Sequence, residues 1–202
     1  MSIEIRKVGV IGAGQMGSGI VQVAAAAGYE VALNDINEER INAGLATING
    51  NLSRQVSKGT LSEDERGLIL SRIVPAATYA DFGDSDIVIE AAVESEEIKR
   101  KIFQALCPAL KPSAIIGTNT SSISVTRLAS TTDRPEQFIG IHFMNPVPVM
   151  QLVEVIRGIA TGEDTYQATR VLVERLGKTI TVAEDFPGFI VNRILLPMIN
   201  EA

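Results

Sequence analysis

The chain has 202 residues, 46% hydrophobic and 21% charged, which suits one domain with a sizeable core, or one domain and part of another. A net charge of −6 argues against nucleic acid and anionic membrane surfaces as partners, and an anionic ligand would need a local cationic patch. One cysteine (Cys107), one histidine and no tryptophan exclude an internal disulfide and any multi-Cys or multi-His metal site. No apolar run nears the ~18 residues of a membrane span, and the first seven residues do not read as a signal peptide. A reducing, cytoplasmic setting is therefore expected.

Short apolar runs alternate with amphipathic stretches, the pattern of βαβ units and a doubly wound, mostly parallel sheet of the Rossmann type. In chain order, the reading begins with a strand at 7–11, a glycine turn and a helix over 15–27 stopped by Gly28. A second strand at 30–34 follows, then a long helix from a cap at Asn37 to about Lys58, and a further helix opened by a Ser62/Glu65 capping box. Strands are predicted near 73–74, 86–90 and 114–118, with a helix over 96–110 between the last two. Strands at 138–143 and 151–156, a helix at 164–176 and a strand at 179–182 complete the alternation. Asp185-Phe186-Pro187-Gly188 breaks it, and 189–201 reads as a helix with nothing to pack on. The expected division is a nucleotide-binding domain over 1–184, then a linker and the first helix of a truncated helical domain over 185–202.

Gly12-Ala13-Gly14-Gln15-Met16-Gly17 follows a strand and opens a helix, the context in which a GxGxxG carries weight. Gly12 permits the tight turn, Gly14 lets the backbone approach a pyrophosphate, and Gly17 lets the helix sit close to the sheet. The free N–H groups and positive dipole at the helix start favour the phosphates. Asp35 ends the second strand, where a carboxylate accepts both ribose hydroxyls and repels a 2′-phosphate, which favours NAD over NADP. Alone, such glycines would serve equally as a tight strand-to-helix turn.

Alternation along 138–143 places Phe138, Gly140 and His142 on one face, while Leu152, Glu154 and Ile156 share a face of the next strand. A carboxylate among Leu152, Val153, Val155 and Ile156 is expected to be buried and therefore paired. The turn-rich Asn145-Pro146-Val147-Pro148 could bring the two strands side by side, so His142 is the candidate partner. Such a carboxylate fixes the imidazole tautomer and favours its protonated form, and the other ring nitrogen can take a proton from an alcohol. A purely structural His–Glu bond is the competing reading. Two further polar groups stay open. Ser121 lies in Thr118-Asn119-Thr120-Ser121-Ser122, past a strand end where ligands of open α/β sheets bind, though the run could equally cap the next helix. Asn192, in an otherwise apolar helix, wants partners, structural or substrate.

Together these residues resemble the 3-hydroxyacyl-CoA dehydrogenase family, most closely its short-chain bacterial 3-hydroxybutyryl-CoA dehydrogenases. The resemblance spans the chain and is carried by GAGQMGSGI at 12–20, DIVIEAAVE at 86–94, TNTSSIS at 118–124, HFMNPVPVMQLVEVIRG at 142–158 and PGFIVNRILLPMINEA at 187–202. It implies an NAD-dependent oxidoreductase interconverting (S)-3-hydroxyacyl-CoA and 3-oxoacyl-CoA. His142 would be catalytic and oriented by Glu154, with Ser121 and Asn192 at the substrate's reacting oxygens. It implies NAD contacts from Gly12, Gly14, Gln15, Met16 and Gly17, from Asp35, Ala92, Glu94 and Lys99, and from Asn119 and Asn145. Asn51 and Lys58 fall at the positions of CoA contacts, although 51–58 also reads as a plain solvated helix face. No metal, nucleic acid or membrane is implied, and the family's dimer forms through a helical C-terminal domain. The family motif usually reads His-Phe-Phe-Asn-Pro; Met144 replaces the second Phe here and keeps its apolar bulk. A sugar-acid dehydrogenase of the same superfamily and a non-catalytic NAD-binding module stay as alternatives, while a lysine-dependent β-hydroxyacid dehydrogenase fits less well.

Overall fold

A computed structural model describes residues 3–202. Its elements are β1 (Lys7–Ile11), α1 (Gln15–Ala26), β2 (Glu30–Asn34), α2 (Glu38–Ser57), α3 (Glu63–Ser71), β3 (Ile73–Pro75), β4 (Ile87–Glu90) and α4 (Glu96–Leu106). They continue with β5 (Ile115–Thr118), α5 (Val125–Ala129), β6 (Phe138–Phe143), β7 (Leu152–Arg157), α6 (Glu163–Arg175), β8 (Thr179–Glu184) and α7 (Val191–Glu201). The eight strands form one sheet in the order β3-β2-β1-β4-β5-β6-β7-β8. All neighbours run parallel except β6 and β7.

The strands are apolar on both faces because helices cover both, as the crossovers of a parallel sheet require. One core joins Val8, Val10, Val31 and Leu33 to α1, α2 and α6; the other joins Val88, Ile116 and Phe138 to α4 and α5. The chain leaves β1 for β2 and β3, then crosses to β4 on the other side of β1. That reversal opens a crevice at the carboxyl ends of β1 and β4, where ligands of such sheets bind.

Three boundaries differ from the sequence reading by two residues or more, each for a local reason. The helix expected over 96–110 ends at Leu106 and tightens into a 3₁₀ turn over Cys107–Ala109, because Pro108 donates no N–H and its ring crowds the preceding turn. The strand expected to end at 182 runs to Glu184, held by parallel pairing to β7. The last helix starts at Val191 rather than 189, because Gly188 (φ 78°) and Phe189 (φ 49°) are both left-handed and reverse the chain first. The described residues contain no helix long and apolar enough to cross a membrane.

Candidate active site

The glycine turn shows which of its glycines the fold itself needs. Gly12 has φ +104°, and a Cβ there would lie 2.5 Å from the Ala91 carbonyl. A Cβ on Gly17 would sit 1.7 Å from the Gly12 carbonyl, so α1 could not lie so close to β1. Gly14 is different: its backbone is ordinary extended chain (φ −71°, ψ −170°), and a Cβ would meet nothing within 4 Å. Nothing in the protein requires glycine at 14, and the bare backbone there is open to close approach by a ligand. Gly14 is also the N-cap of α1; no side chain caps that helix and its first turn holds no acid. The N–H groups of its first turn, carried by Gln15, Met16 and Gly17, are therefore open to a diphosphate.

Asp35 lies just beyond β2, its Oδ2 accepting the Ala13 N–H at 2.6 Å and its Oδ1 the Ile36 N–H at 2.6 Å. A carboxylate has about four acceptor directions, so both oxygens keep capacity for a ribose diol. The bond to Ala13 fixes the acid relative to the glycine turn. Bare backbone for a pyrophosphate, an uncapped helix start and an acid for ribose are what an adenine dinucleotide needs, and the residues present fit it.

At the same edge, antiparallel pairing sets His142 opposite Glu154. Both side chains face the α5 side, and Glu154 Oε2 is 2.7 Å from His142 Nδ1. Its other oxygen, Oε1, accepts the N–H groups of Ile190 and Val191, each at 2.9 Å. Glu154 is fully buried and His142 is 8% exposed, so the acid is partnered on both oxygens while the ring keeps an opening. Because an ionised carboxylate only accepts, Nδ1 carries the proton and Nε2 is left as the acceptor of the neutral ring. The left-handed Phe189 sets its ring 6.2 Å from the imidazole, which walls the site, and aims the two amides at Glu154.

Glu94 organises the turn after β5. Its Oε1 accepts from Thr120 Oγ1 at 2.7 Å and from the Ser121 and Ser122 N–H groups at 2.8 and 3.1 Å. The hydroxyls of Ser121 and Ser122 reach the same oxygen, each at 3.1 Å. Burial pushes this carboxyl upward, but those donors and Lys99 outweigh it and hold it below the usual carboxylate value. Asn192 Nδ2 donates to the Ser121 carbonyl at 2.9 Å, which joins α7 to this turn. Asn119 Oδ1 accepts the Phe143 N–H at 2.9 Å and ties the ends of β5 and β6 together. Ala92 N–H donates to Glu90, and Asn145 precedes a cis-proline in the β6–β7 link.

Lys99, read from sequence among the cofactor contacts, is 1% exposed and pairs with Glu90 at 2.7 Å and Glu94 at 3.4 Å. Asn51 and Lys58 lie apart from this group, on the outer length and C-cap of α2. Asn51 Nδ2 donates to Gln22 at 3.1 Å and its Oδ1 accepts from Arg54, while Lys58 is exposed.

Sequence reasoning missed Glu90, Thr118 and Asp185. Glu90 carried a signal close to the one that exposed Glu154, an acid joined to an apolar run, here at its end rather than within it. Asp185 accepts from Ser124 Oγ at 2.6 Å and from the Val125 and Thr126 N–H groups, capping α5 from the linker. Only its long separation from α5 in sequence hid it.

A doubly wound sheet with this turn at its switch point, and an acid ending β2, defines the nucleotide domain of a dinucleotide-dependent dehydrogenase. The family described as "3-hydroxyacyl-CoA dehydrogenase, NAD binding domain" matches residues 7–186. A 3-hydroxybutyryl-CoA dehydrogenase of Bradyrhizobium diazoefficiens is 63% identical over 202 residues, all of this chain and 69% of that protein. The crystal structure of (S)-3-hydroxybutyryl-CoA dehydrogenase from Ralstonia eutropha superposes with a TM-score of 0.96 at 46% identity, covering 98% of this chain and 70% of that one. The alpha subunit of a fatty acid oxidation complex from a Psychrobacter species is 42% identical over 194 residues, 27% of its length. The chain belongs to the 3-hydroxyacyl-CoA dehydrogenase family, and its cofactor is NAD.

Proposed function

We propose that this protein interconverts (S)-3-hydroxyacyl-CoA and 3-oxoacyl-CoA, with the four-carbon pair 3-hydroxybutyryl-CoA and acetoacetyl-CoA as its preferred substrates. The observation that carries the mechanism is the 2.7 Å contact between His142 Nδ1 and the fully buried Glu154, at the sheet edge that holds the glycine turn. The names of the bacterial relatives support the four-carbon assignment.

Bound NAD supplies the hydride acceptor for C3. With Nδ1 protonated and facing Glu154, His142 Nε2 removes the 3-hydroxyl proton as the C3–H bond breaks, and C3 becomes a carbonyl. Glu154 stabilises the imidazolium so formed, and in reduction the same imidazolium returns the proton. Ser121 and Asn192, joined through the Ser121 carbonyl, would orient the reacting oxygen. Glu94, with Asn119, Asn145 and Ala92, would meet the nicotinamide end, whereas Lys99, read from sequence as a direct contact, is buried between two acids and would act there through Glu94. For the CoA phosphates, Arg54 and Lys58 give the end of α2 two cations that the overall charge lacks, with the neutral Asn51 beside them as a hydrogen-bonding group.

Residues 1–184 are assigned to nucleotide binding, and 185–202 to a connection into a helical partner domain that completes the acyl pocket and forms a dimer. α7 supports this: it buries none of its residues and exposes Ile194, Leu196, Met198 and Ile199. The test is NADH oxidation with acetoacetyl-CoA. General acid–base help is worth roughly 10²–10⁴-fold, so His142→Gln is expected to lose that much turnover with NADH affinity retained. Near-normal turnover in that variant would remove His142 from the mechanism.

A further inference from the structure

Glu90 ends β4 with its side chain fully buried, and the chemistry above gives it no task. Its Oε1 accepts from Lys99 Nζ at 2.7 Å and from the Ala92 N–H at 2.7 Å, and its Oε2 accepts from Thr118 Oγ1 at 2.7 Å. One carboxylate thus joins β4, the loop after it, α4 and the end of β5. Removing two ions from water costs several kcal/mol each, and apolar residues of similar volume often pack as well. Packing alone therefore does not account for the pair.

The geometry beyond the pair does. Lys99 has a tight partner in Glu90 and a looser one, at 3.4 Å, in Glu94 Oε2. The tight contact fixes the ammonium, and Glu94 is then placed against it. The opposite oxygen of Glu94 gathers Thr120, Ser121 and Ser122, and the Ser121 carbonyl receives Asn192 from α7. The line Glu90–Lys99–Glu94–Ser121–Asn192 runs from the sheet core to the last helix. We infer that Glu90 is a positioning residue, which acts through Lys99 to set Glu94 and the turn carrying Ser121. Its catalytic meaning rests on Ser121 meeting the reacting oxygen, as proposed above; the coupling itself does not.

The experiment is amide NMR on the 202-residue chain carrying Glu90→Gln. Glutamine keeps the size, and its one carbonyl oxygen can still accept from Ala92 while its amide donates to the Thr118 hydroxyl, but it withdraws the charge that anchors Lys99. The Ser121 and Ser122 amides, which donate to Glu94 and not to Glu90, are expected to shift upfield by several linewidths. They should also exchange about tenfold faster with solvent, the loss of one charge-assisted hydrogen bond. A static structural role would move the Ala92 amide and leave 121 and 122 in place, which would overturn the inference. If the single change leaves Lys99 unpaired and the chain unfolded, the double variant Glu90→Gln with Lys99→Gln removes both charges. The same displacement at 121 and 122 is expected there, and unmoved signals overturn the inference equally. Turnover of Ser121→Ala tests the catalytic reading separately, so the two failures are distinguishable.

Discussion

Gly14→Ala separates what the fold needs from what the cofactor needs. The added Cβ meets no protein atom within 4 Å, and the backbone at 14 suits alanine. Alanine is the poorer N-cap by roughly 0.5–1 kcal/mol, but it lowers unfolded-state entropy by about 0.4–1 kcal/mol. The two nearly cancel, so Tm should change by less than about 2 °C for a chain of this size. If the pyrophosphate lies on this turn, bound NAD would meet the added methyl. Losing one charge-assisted hydrogen bond costs about 1.5–3 kcal/mol, or roughly 10- to 150-fold in Kd. NADH binding can be followed by its own fluorescence, because the chain contains no tryptophan. Gly17→Ala is the contrast: its Cβ would lie 1.7 Å from a backbone oxygen, and a loss above about 3 kcal/mol of stability is expected. An unchanged Kd for Gly14→Ala, or a Tm loss like that of Gly17→Ala, would refute the assignment of the pyrophosphate to this turn.

Three other outcomes follow from the same geometry. Glu154→Gln offers an amide N–H to His142 Nδ1, which drives the ring proton onto Nε2, the wrong tautomer for a base; the analogous change in serine proteases costs about 10⁴ in turnover, and a loss under tenfold here would argue against Glu154 as the orienting group. Gly44 lies inside α2, where a Cβ would come 2.8 Å from Ala13 Cβ and 3.0 Å from its carbonyl; Gly44→Ala should therefore lower Tm by a few degrees and weaken NADH binding by displacing the turn, despite a helix-propensity gain of about 1 kcal/mol, and a Tm increase would contradict this. Asp185 is pushed up by burial but held net below its ordinary value of 3.8 by Ser124, Val125 and Thr126. Its contribution to stability is thus present above pH 3.8 and fades as pH falls through the lowered value, so Asp185→Asn should lower stability at pH 7 and flatten the acid limb of denaturation; an unchanged acid limb would contradict this.

The elements set by periodicity and local punctuation were legible from sequence. These include β1, β2 and the Ser62 capping box, with both its bonds formed. The His142–Glu154 contact could be anticipated because alternation fixed the faces of two adjacent strands and an acid stood in an apolar run. What escaped the reading depends on distant partners or on unusual backbone. Asp185 caps a helix about 60 residues upstream in sequence. The late start of α7 follows from a left-handed Phe189, which no phenylalanine advertises. Glu90 needed β4, α4 and β5 together before its three donors could be seen. For Lys99, sequence similarity suggested a role but not the burial that makes it a bridge between two acids.

The distribution of acids around the helix starts favours one of them for a dinucleotide's phosphates. α2, α3, α4 and α6 each carry two or more acids in the first turn, which satisfy the positive end of the helix and repel phosphate. The short α5 has none of its own, but Asp185 reaches it from the linker, and Glu154 does the same for the start of α7. Among the described α-helices, only α1 has a first turn that holds no acid and donates to no carboxylate, Asp35 reaching only Ala13 just before its glycine cap, which has open space before it. In a protein with a net charge of −6, that omission suits the start of α1 to a diphosphate. Asp35 donates nothing and holds the Ala13 amide beside that turn, where it would suit a ribose diol. An acid introduced into that first turn, as in Gln15→Glu, should weaken NADH binding by about the 0.3–1 kcal/mol of a helix-end charge and by more at low salt. Binding that was indifferent to this charge and to ionic strength would mean that the phosphates lie elsewhere.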